Sequence, residues 1–309
     1  MTDMCSRVEG EARVEQGGTG TLYIVATPIG NLEDISSRAV AVLREVDLVA
    51  AEDTRKAAIL FNRYDIATPT RSFHDHNKEE MLPRFMSCLD QGQDVALISE
   101  AGTPGVSDPG FYLVRAARRG GVPVMAVPGP SAAVAALSIS GLPTDRFCFL
   151  GFPPRGSDVE SFLREAALLD ISLILYQAPG RVLKTLSAIS RVLGEREISI
   201  SREMTKIYEE TVTGTPSSLA DHYRRNPGSL RGEFTLIIAP PGYSIEEEDG
   251  KGRISPDAEH EITDVAIDQV TLLVEAGHRV ADAAKIVARG HRLPRSDLYR
   301  AYLRQRADG

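Results

Sequence analysis

Five short segments hold the residues best able to do chemistry, and each follows a run of apolar residues. They are Thr27-Pro28-Ile29-Gly30-Asn31, Glu52-Asp53-Thr54-Arg55, His74-Asp75-His76, the stretch Ser99 to Gly110, and Pro128-Gly129-Pro130-Ser131. Glycines let backbone approach a ligand closely, and prolines hold turns rigid. Asp53 could take a proton in acid–base work, and so could Glu203 or a desolvated Lys206 further along the chain. His74 and His76 flank Asp75, but a third ligand is not apparent, so the pair reads as a polar strand end and no metal is expected. The Gly-rich dinucleotide fingerprint is absent after the first run. The phosphate-binding GxxxxGK[ST], the GxSxG elbow and the HExxH zinc motif are absent as well.

Elements must place those five segments side by side. The preceding runs, residues 21–27, 47–53, 70–75, 94–100 and 122–128, alternate with helical periodicity. Leu32, Ile35, Ala39, Val42, Leu43 and Val46 recur at spacings of three or four, and residues 81–89 and 111–117 behave alike. Strand and helix in alternation predict an α/β fold with a mostly parallel sheet, and ligands of such sheets sit at the carboxyl ends of the strands. Residues 142–158, rich in Pro and Gly, read as a connection. Beyond it, strands over 172–178, 197–203 and 232–240 with a helix over 182–193 predict a second α/β domain on a mixed sheet.

The chain has 309 residues, which at roughly 150 per domain gives about two domains. Expected boundaries are a loose tail over 1–20, an N-terminal α/β domain over 21–142 and a second over 143–242. An acidic linker over 243–264 and a helical domain over 265–309 follow. Hydrophobic residues make up 42% and charged residues 25%, enough for a proper core. The formal charge is −8, which excludes a histone-like coat for nucleic acid. Three scattered cysteines, Cys5, Cys88 and Cys148, argue against a disulfide framework and for a reducing cytoplasm. No apolar run reaches the ~18 residues of a membrane helix, so no membrane partner is expected.

Against this background the motifs TLYIVATPIGNLEDI, AEDTR, HDHN, SEAGTPGVSDPG and VPGPSA, with LPTDRF, REMTK, YEE and RGEFTLII, resemble the tetrapyrrole (corrin/porphyrin) methylase superfamily. Within it they are similar to the enzymes that methylate ribose 2′-hydroxyls of small-subunit ribosomal RNA, over about residues 21–240, and the helical tail fits that group's appended domain. The resemblance implies a two-domain homodimer that binds S-adenosylmethionine in a cleft between the domains. It places Pro28, Gly30, Glu100, Ala101, Gly102, Thr103 and the run Pro128, Gly129, Pro130, Ser131 at the cofactor, with Tyr176 and Gln177 from the second domain. The chain departs from the family pattern at Glu100, where aspartate is usual, and at Gln177 and Gly180, where glutamate and histidine are usual.

Residues 278–306 carry eight basic and two acidic side chains, a local excess of positive charge in an acidic protein. Lys285, Arg289, Arg292, Arg300 and Arg304 are therefore expected to meet RNA phosphates, as are Arg55 and Arg181. The expected partner is 16S rRNA in the small ribosomal subunit, methylated at a cytidine ribose in the decoding region. Two other readings stay open at this point: a methyltransferase for a small tetrapyrrole, and a non-catalytic nucleic-acid binder that senses a nucleoside.

Overall fold

The protein is described by a computed structural model covering residues 18–156, 158–243, 264–275, 277–291 and 293–307. Most of the expected N-terminal tail and acidic linker, together with Arg292 and the Arg289 side chain, lies outside the described residues. The chain divides into two compact units, one ending at Ala132 and the other starting at Ala133.

In the first unit five strands form a wholly parallel sheet of order β3-β2-β4-β1-β5: β1 (Leu22–Val25), β2 (Leu48–Ala51), β3 (Thr70–Ser72), β4 (Val95–Ile98) and β5 (Val124–Val127). Four helices link them: α1 (Ser37–Glu45), α2 (Thr54–Arg63), α3 (Lys78–Asp90) and α4 (Gly110–Arg119). Strand residues alternate between faces, so β2 sends Val49 and Ala51 to one layer and Leu48 and Ala50 to the other. The first layer packs on α1 and α2 through Leu43, Leu60 and Phe61, and the second on α3 and α4 through Phe85, Leu89 and Leu113. Both faces of the sheet are therefore covered, which explains the uninterrupted apolar run Val95–Ile98. Ser36 caps α1 by accepting the Ala39 N–H, and Asp53 caps α2 by accepting the Arg55 N–H.

The division falls at the start of α5 (Ala132–Ile139), and the second unit holds the rest of that helix and a mixed sheet of order β6-β7-β10-β8-β9. Its strands are β6 (Phe147–Gly151), β7 (Ser172–Gln177), β8 (Ile198–Arg202), β9 (Glu210–Gly214) and β10 (Phe234–Ile238). Only β6 and β7 run parallel. One face packs on α6 (Asp158–Ala167), α7 (Val182–Leu193) and α8 (Pro216–Arg225) through Leu163, Leu175, Leu186, Ile200 and Tyr223. The other face carries small polar groups, among them Ser199, Ser201 and Thr235, all buried. The stretch expected as a bare connection thus contains β6 and the start of α6. β9 and α8 were not anticipated from the sequence.

Three terminal helices, α9 (Asp264–Glu275), α10 (Val280–His291) and α11 (Arg295–Ala307), share a separate core. Ala283, Ala284, Val287 and Ala288 of α10 meet Val270 of α9 and Leu298 and Tyr302 of α11 there.

Candidate active site

The loops after β1, β4 and β5 are stitched together because those strands are neighbours. Thr27 and Gly102 exchange both backbone hydrogen bonds, Thr27 N–H to Gly102 O at 2.9 Å and Gly102 N–H to Thr27 O at 3.1 Å. Gly102 sits at φ +79°, a left-handed backbone that suits glycine. The Thr103 hydroxyl donates to Pro130 O at 3.2 Å and so ties the β4 loop to the β5 loop. At Gly129 a Cβ would lie 2.9 Å from the Ala26 Cβ, so the β5 loop can approach β1 only without a side chain. The loop continues through Asp108, whose carboxylate accepts the N–H groups of Gly105 and Gly110 at 2.8 and 2.7 Å. Of the residues expected at a cofactor in this unit, Gly102, Thr103, Gly129 and Pro130 meet in this cluster; Pro28 is buried, whereas Gly30, Glu100, Ala101, Pro128 and Gly129 are exposed.

A concavity of about 440 Å3 lies at the ends of β2, β3 and β4. Its lining is Glu52, Asp53, Thr54, Arg55, Ser72, His74, Asp75, His76 and Glu100. Most of its carboxylates are neutralised in place. Asp53 takes two hydrogen bonds from the Arg55 guanidinium, at 3.1 and 2.7 Å, and these with the Arg55 N–H hold its carboxyl well below the usual range. Lys56 pairs with Glu100, and Lys78 with Asp75 at 2.8 Å. Glu52 differs: burial raises its pKa, assisted by Asp108 and Glu100, against the lowering effect of the Glu100 N–H it accepts at 3.0 Å. His74 Nδ1 is buried without a hydrogen-bond partner.

In the second unit, the Tyr176 hydroxyl accepts the Ala133 N–H at 3.2 Å, and its ring packs edge-on against Phe149. Gln177 is turned inward: its amide donates to the Thr185 hydroxyl at 2.5 Å, and its oxygen accepts the Ala178 N–H at 2.9 Å. This side chain organises the turn after β7. Arg181 donates to Pro153 O at 3.2 Å. Glu203 and Lys206 lie together in the β8–β9 connection, where Lys206 Nζ bridges Glu203 at 2.8 Å and Glu233 at 3.1 Å. Burial by itself would raise the Glu203 pKa, but Lys206 and the Glu233 N–H win and lower it. Burial would likewise lower Lys206, yet its two carboxylate partners raise it. The lowered pKa makes Glu203 a weaker proton acceptor, and the raised pKa keeps Lys206 an ammonium, which works against either serving as a base.

In the helical segment Lys285, Arg300 and Arg304 are exposed, and Arg300 pairs with Asp297 at 2.6 Å. No helix among the described residues is long and apolar enough to cross a membrane.

Residues 21–220 match the family described as Tetrapyrrole (Corrin/Porphyrin) Methylases. The chain is 43% identical to "Ribosomal RNA small subunit methyltransferase I" of Halalkalibacterium halodurans, over 92% of this chain and 94% of that protein. The chain belongs to the tetrapyrrole methylases, in the branch of ribosomal RNA small subunit methyltransferase I. Relatives of the same name from Synechocystis sp. and Escherichia coli O157:H7 are 39% and 38% identical, over 94% and 93% of this chain and 100% and 96% of theirs. The tetrapyrrole methylase fold is shared with cobalt precorrin-4 methyltransferase (18% identity, TM-score 0.56, covering 74% of this chain and 98% of that one). It is shared too with diphthine synthase, at 16% identity and TM-score 0.58, covering 72% of this chain and 91% of that one. The solved relatives include a uroporphyrin-III C-methyltransferase complexed with S-adenosylhomocysteine, 19% identical with TM-score 0.51, covering 71% of this chain and 97% of that one. Sequence reasoning passed over Glu52 as a candidate, because adjacent carboxylates look alike until their partners, Arg55 for Asp53 and the Glu100 N–H for Glu52, separate them.

Proposed function

We propose that the protein transfers a methyl group from S-adenosylmethionine to the 2′-hydroxyl of a cytidine ribose in the decoding region of 16S rRNA. The observation that carries this reading is the likeness, along nearly the whole chain, to relatives named ribosomal RNA small subunit methyltransferase I. The residues present fit the cofactor. Ala101–Thr103 and Pro128–Ser131 offer backbone with little side-chain bulk, which suits a flat nucleoside, and the Glu100 carboxylate can accept from ribose hydroxyls. Pro28 and Gly30 belong to the loop bound to Gly102 and complete the same cluster.

S-adenosylmethionine supplies an electrophilic methyl on a sulfonium. The chain's own task is to hold the hydroxyl in line with that methyl and to exclude water, and such positioning can be worth an effective molarity of about 10⁵ M or more. Asp53, Glu203 and Lys206 keep loops in place through their ion pairs. Arg55, Arg181, Lys285, Arg289, Arg292, Arg300 and Arg304 supply phosphate contacts. Such an enzyme works in the cytoplasm, where its RNA is made. Exposed apolar side chains support a homodimer: Met125 on edge strand β5 of the first unit, and Val134, Ile139 and Phe147 in the second. Sedimentation showing a monomer at micromolar concentration would remove that element.

The deciding experiment supplies labelled S-adenosylmethionine to small ribosomal subunits lacking the modification, then maps the label by nuclease digestion. Label on one cytidine ribose is expected. No label, with cofactor still bound, rejects the rRNA reading and redirects the search to small tetrapyrroles, for which the support is likeness of fold.

A further inference from the structure

We propose that Glu52 is the catalytic base, accepting the proton of the ribose hydroxyl in the pocket at the ends of β2, β3 and β4. The inference rests on the rRNA-methyltransferase reading and adds to it a residue and an acceptor subsite. Three observations converge on it. The pocket adjoins the proposed cofactor loop, because the Glu52 carboxylate accepts the backbone N–H of Glu100, in that loop, at 3.0 Å. Its lining offers acceptors to a hydroxyl: Glu52, Asp53, Asp75 and Glu100 each bring a carboxylate there. Finally, Asp53, Asp75 and Glu100 are each held by a cation, whereas Glu52 takes part in no ion pair among the described residues.

The step balances. The oxygen–carbon bond to the methyl forms as the sulfur–carbon bond breaks, and sulfur leaves as a neutral thioether. The hydroxyl proton moves to the Glu52 carboxylate, which later gives it to water. Burial with Asp108 and Glu100 nearby makes Glu52 a stronger base than an ordinary carboxylate, while Lys56 opposes that effect. Asp53, Arg55, His74, Asp75 and His76 are the remaining titratable or charged groups that face it across the pocket.

The test compares wild type, Glu52→Gln and Glu52→Asp in methyl transfer to unmodified small subunits, with cofactor affinity, RNA affinity and thermal melting measured alongside. Glu52→Gln is expected to lose about 10²- to 10⁴-fold in kcat with both affinities retained, and Glu52→Asp to recover part of the rate. The wild-type rate should fall as pH drops through a value above the ordinary carboxylate range, and that limb should vanish in Glu52→Gln. Wild-type kcat in Glu52→Gln overturns the proposal while the rRNA reading stands. If Glu52→Gln does not fold, the wild-type profile decides: a rate flat down to the ordinary carboxylate range overturns it. Failure of the wild type itself to transfer label overturns both.

Discussion

Gly129 has no room for a side chain, since an added Cβ would sit 2.9 Å from the Ala26 Cβ and 3.4 Å from the Ala26 carbonyl oxygen. Gly129→Ala must push the β5 loop off β1, and overpacking of this kind costs about 1–3 kcal/mol. We expect cofactor affinity to drop by about tenfold, since 1.4 kcal/mol corresponds to that factor. Calorimetric titration with S-adenosylmethionine checks this, and an unchanged Kd would mean that the loop does not serve the cofactor. Lys206 makes a different prediction. Its pKa is raised, so its stabilising contribution is fully present below the ordinary lysine range and is lost as pH climbs through the folded value. Glu203 is lowered, so its share is present above the ordinary carboxylate range and is lost as pH falls through the folded value. Lys206→Met should therefore cost no more than about 1 kcal/mol near neutral pH, given the partial exposure of the pair. It should also leave methyl transfer intact, and a loss of several hundredfold in kcat would restore Lys206 as a base.

At the scale of elements, the β8–β9 connection shows how a strained loop is kept. Glu203 and Thr205 adopt left-handed backbone at φ 50° and 65°, which costs roughly 1–2 kcal/mol for each non-glycine residue. The Thr205 N–H donates to Glu209 at 2.7 Å, and the Glu203 carboxylate lies against Gly232, itself at φ +80°. A Cβ at Gly232 would fall 2.1 Å from Glu203 Oε1. Gly232→Ala should lower stability by about 2–4 kcal/mol from backbone strain and the displaced carboxylate together. A lower denaturation midpoint with unchanged slope is the expected readout, and a wild-type midpoint would show that the loop tolerates rearrangement. Legibility also differs by element. The first sheet was readable because strands covered on both faces become plain apolar runs flanked by turn residues. β9, with the sequence ETVTG, was not, because it is a short edge strand without an apolar run. β6 was hidden because its apolar residues stand among prolines and glycines that signal loop.

For the whole molecule, charge is distributed unevenly, with a formal −8 overall and a basic helical end. Replacing Lys285, Arg300 and Arg304 with Gln should weaken RNA binding and reduce the slope of log affinity against log salt by up to ~0.7–0.9 for each phosphate no longer neutralised. Cofactor affinity should not change. Arg300 is held by Asp297, so its share should be the smallest of the three. Filter binding across a salt series checks the prediction, and an unchanged slope would mean that these helices do not touch the RNA. The sequence by itself determined the alternation of strand and helix, the glycine and proline loops that end the strands, the likeness to the tetrapyrrole methylases and the basic end. These are properties of neighbouring residues, and periodicity and motif spacing express them directly. Tertiary structure decided the order β3-β2-β4-β1-β5, and with it which loops touch. It also separated Asp53, neutralised by Arg55, from Glu52, whose carboxylate takes the Glu100 N–H from 48 residues away along the chain. Burial and charge pairing across such separations depend on where the chain folds back, and local pattern carries no trace of them.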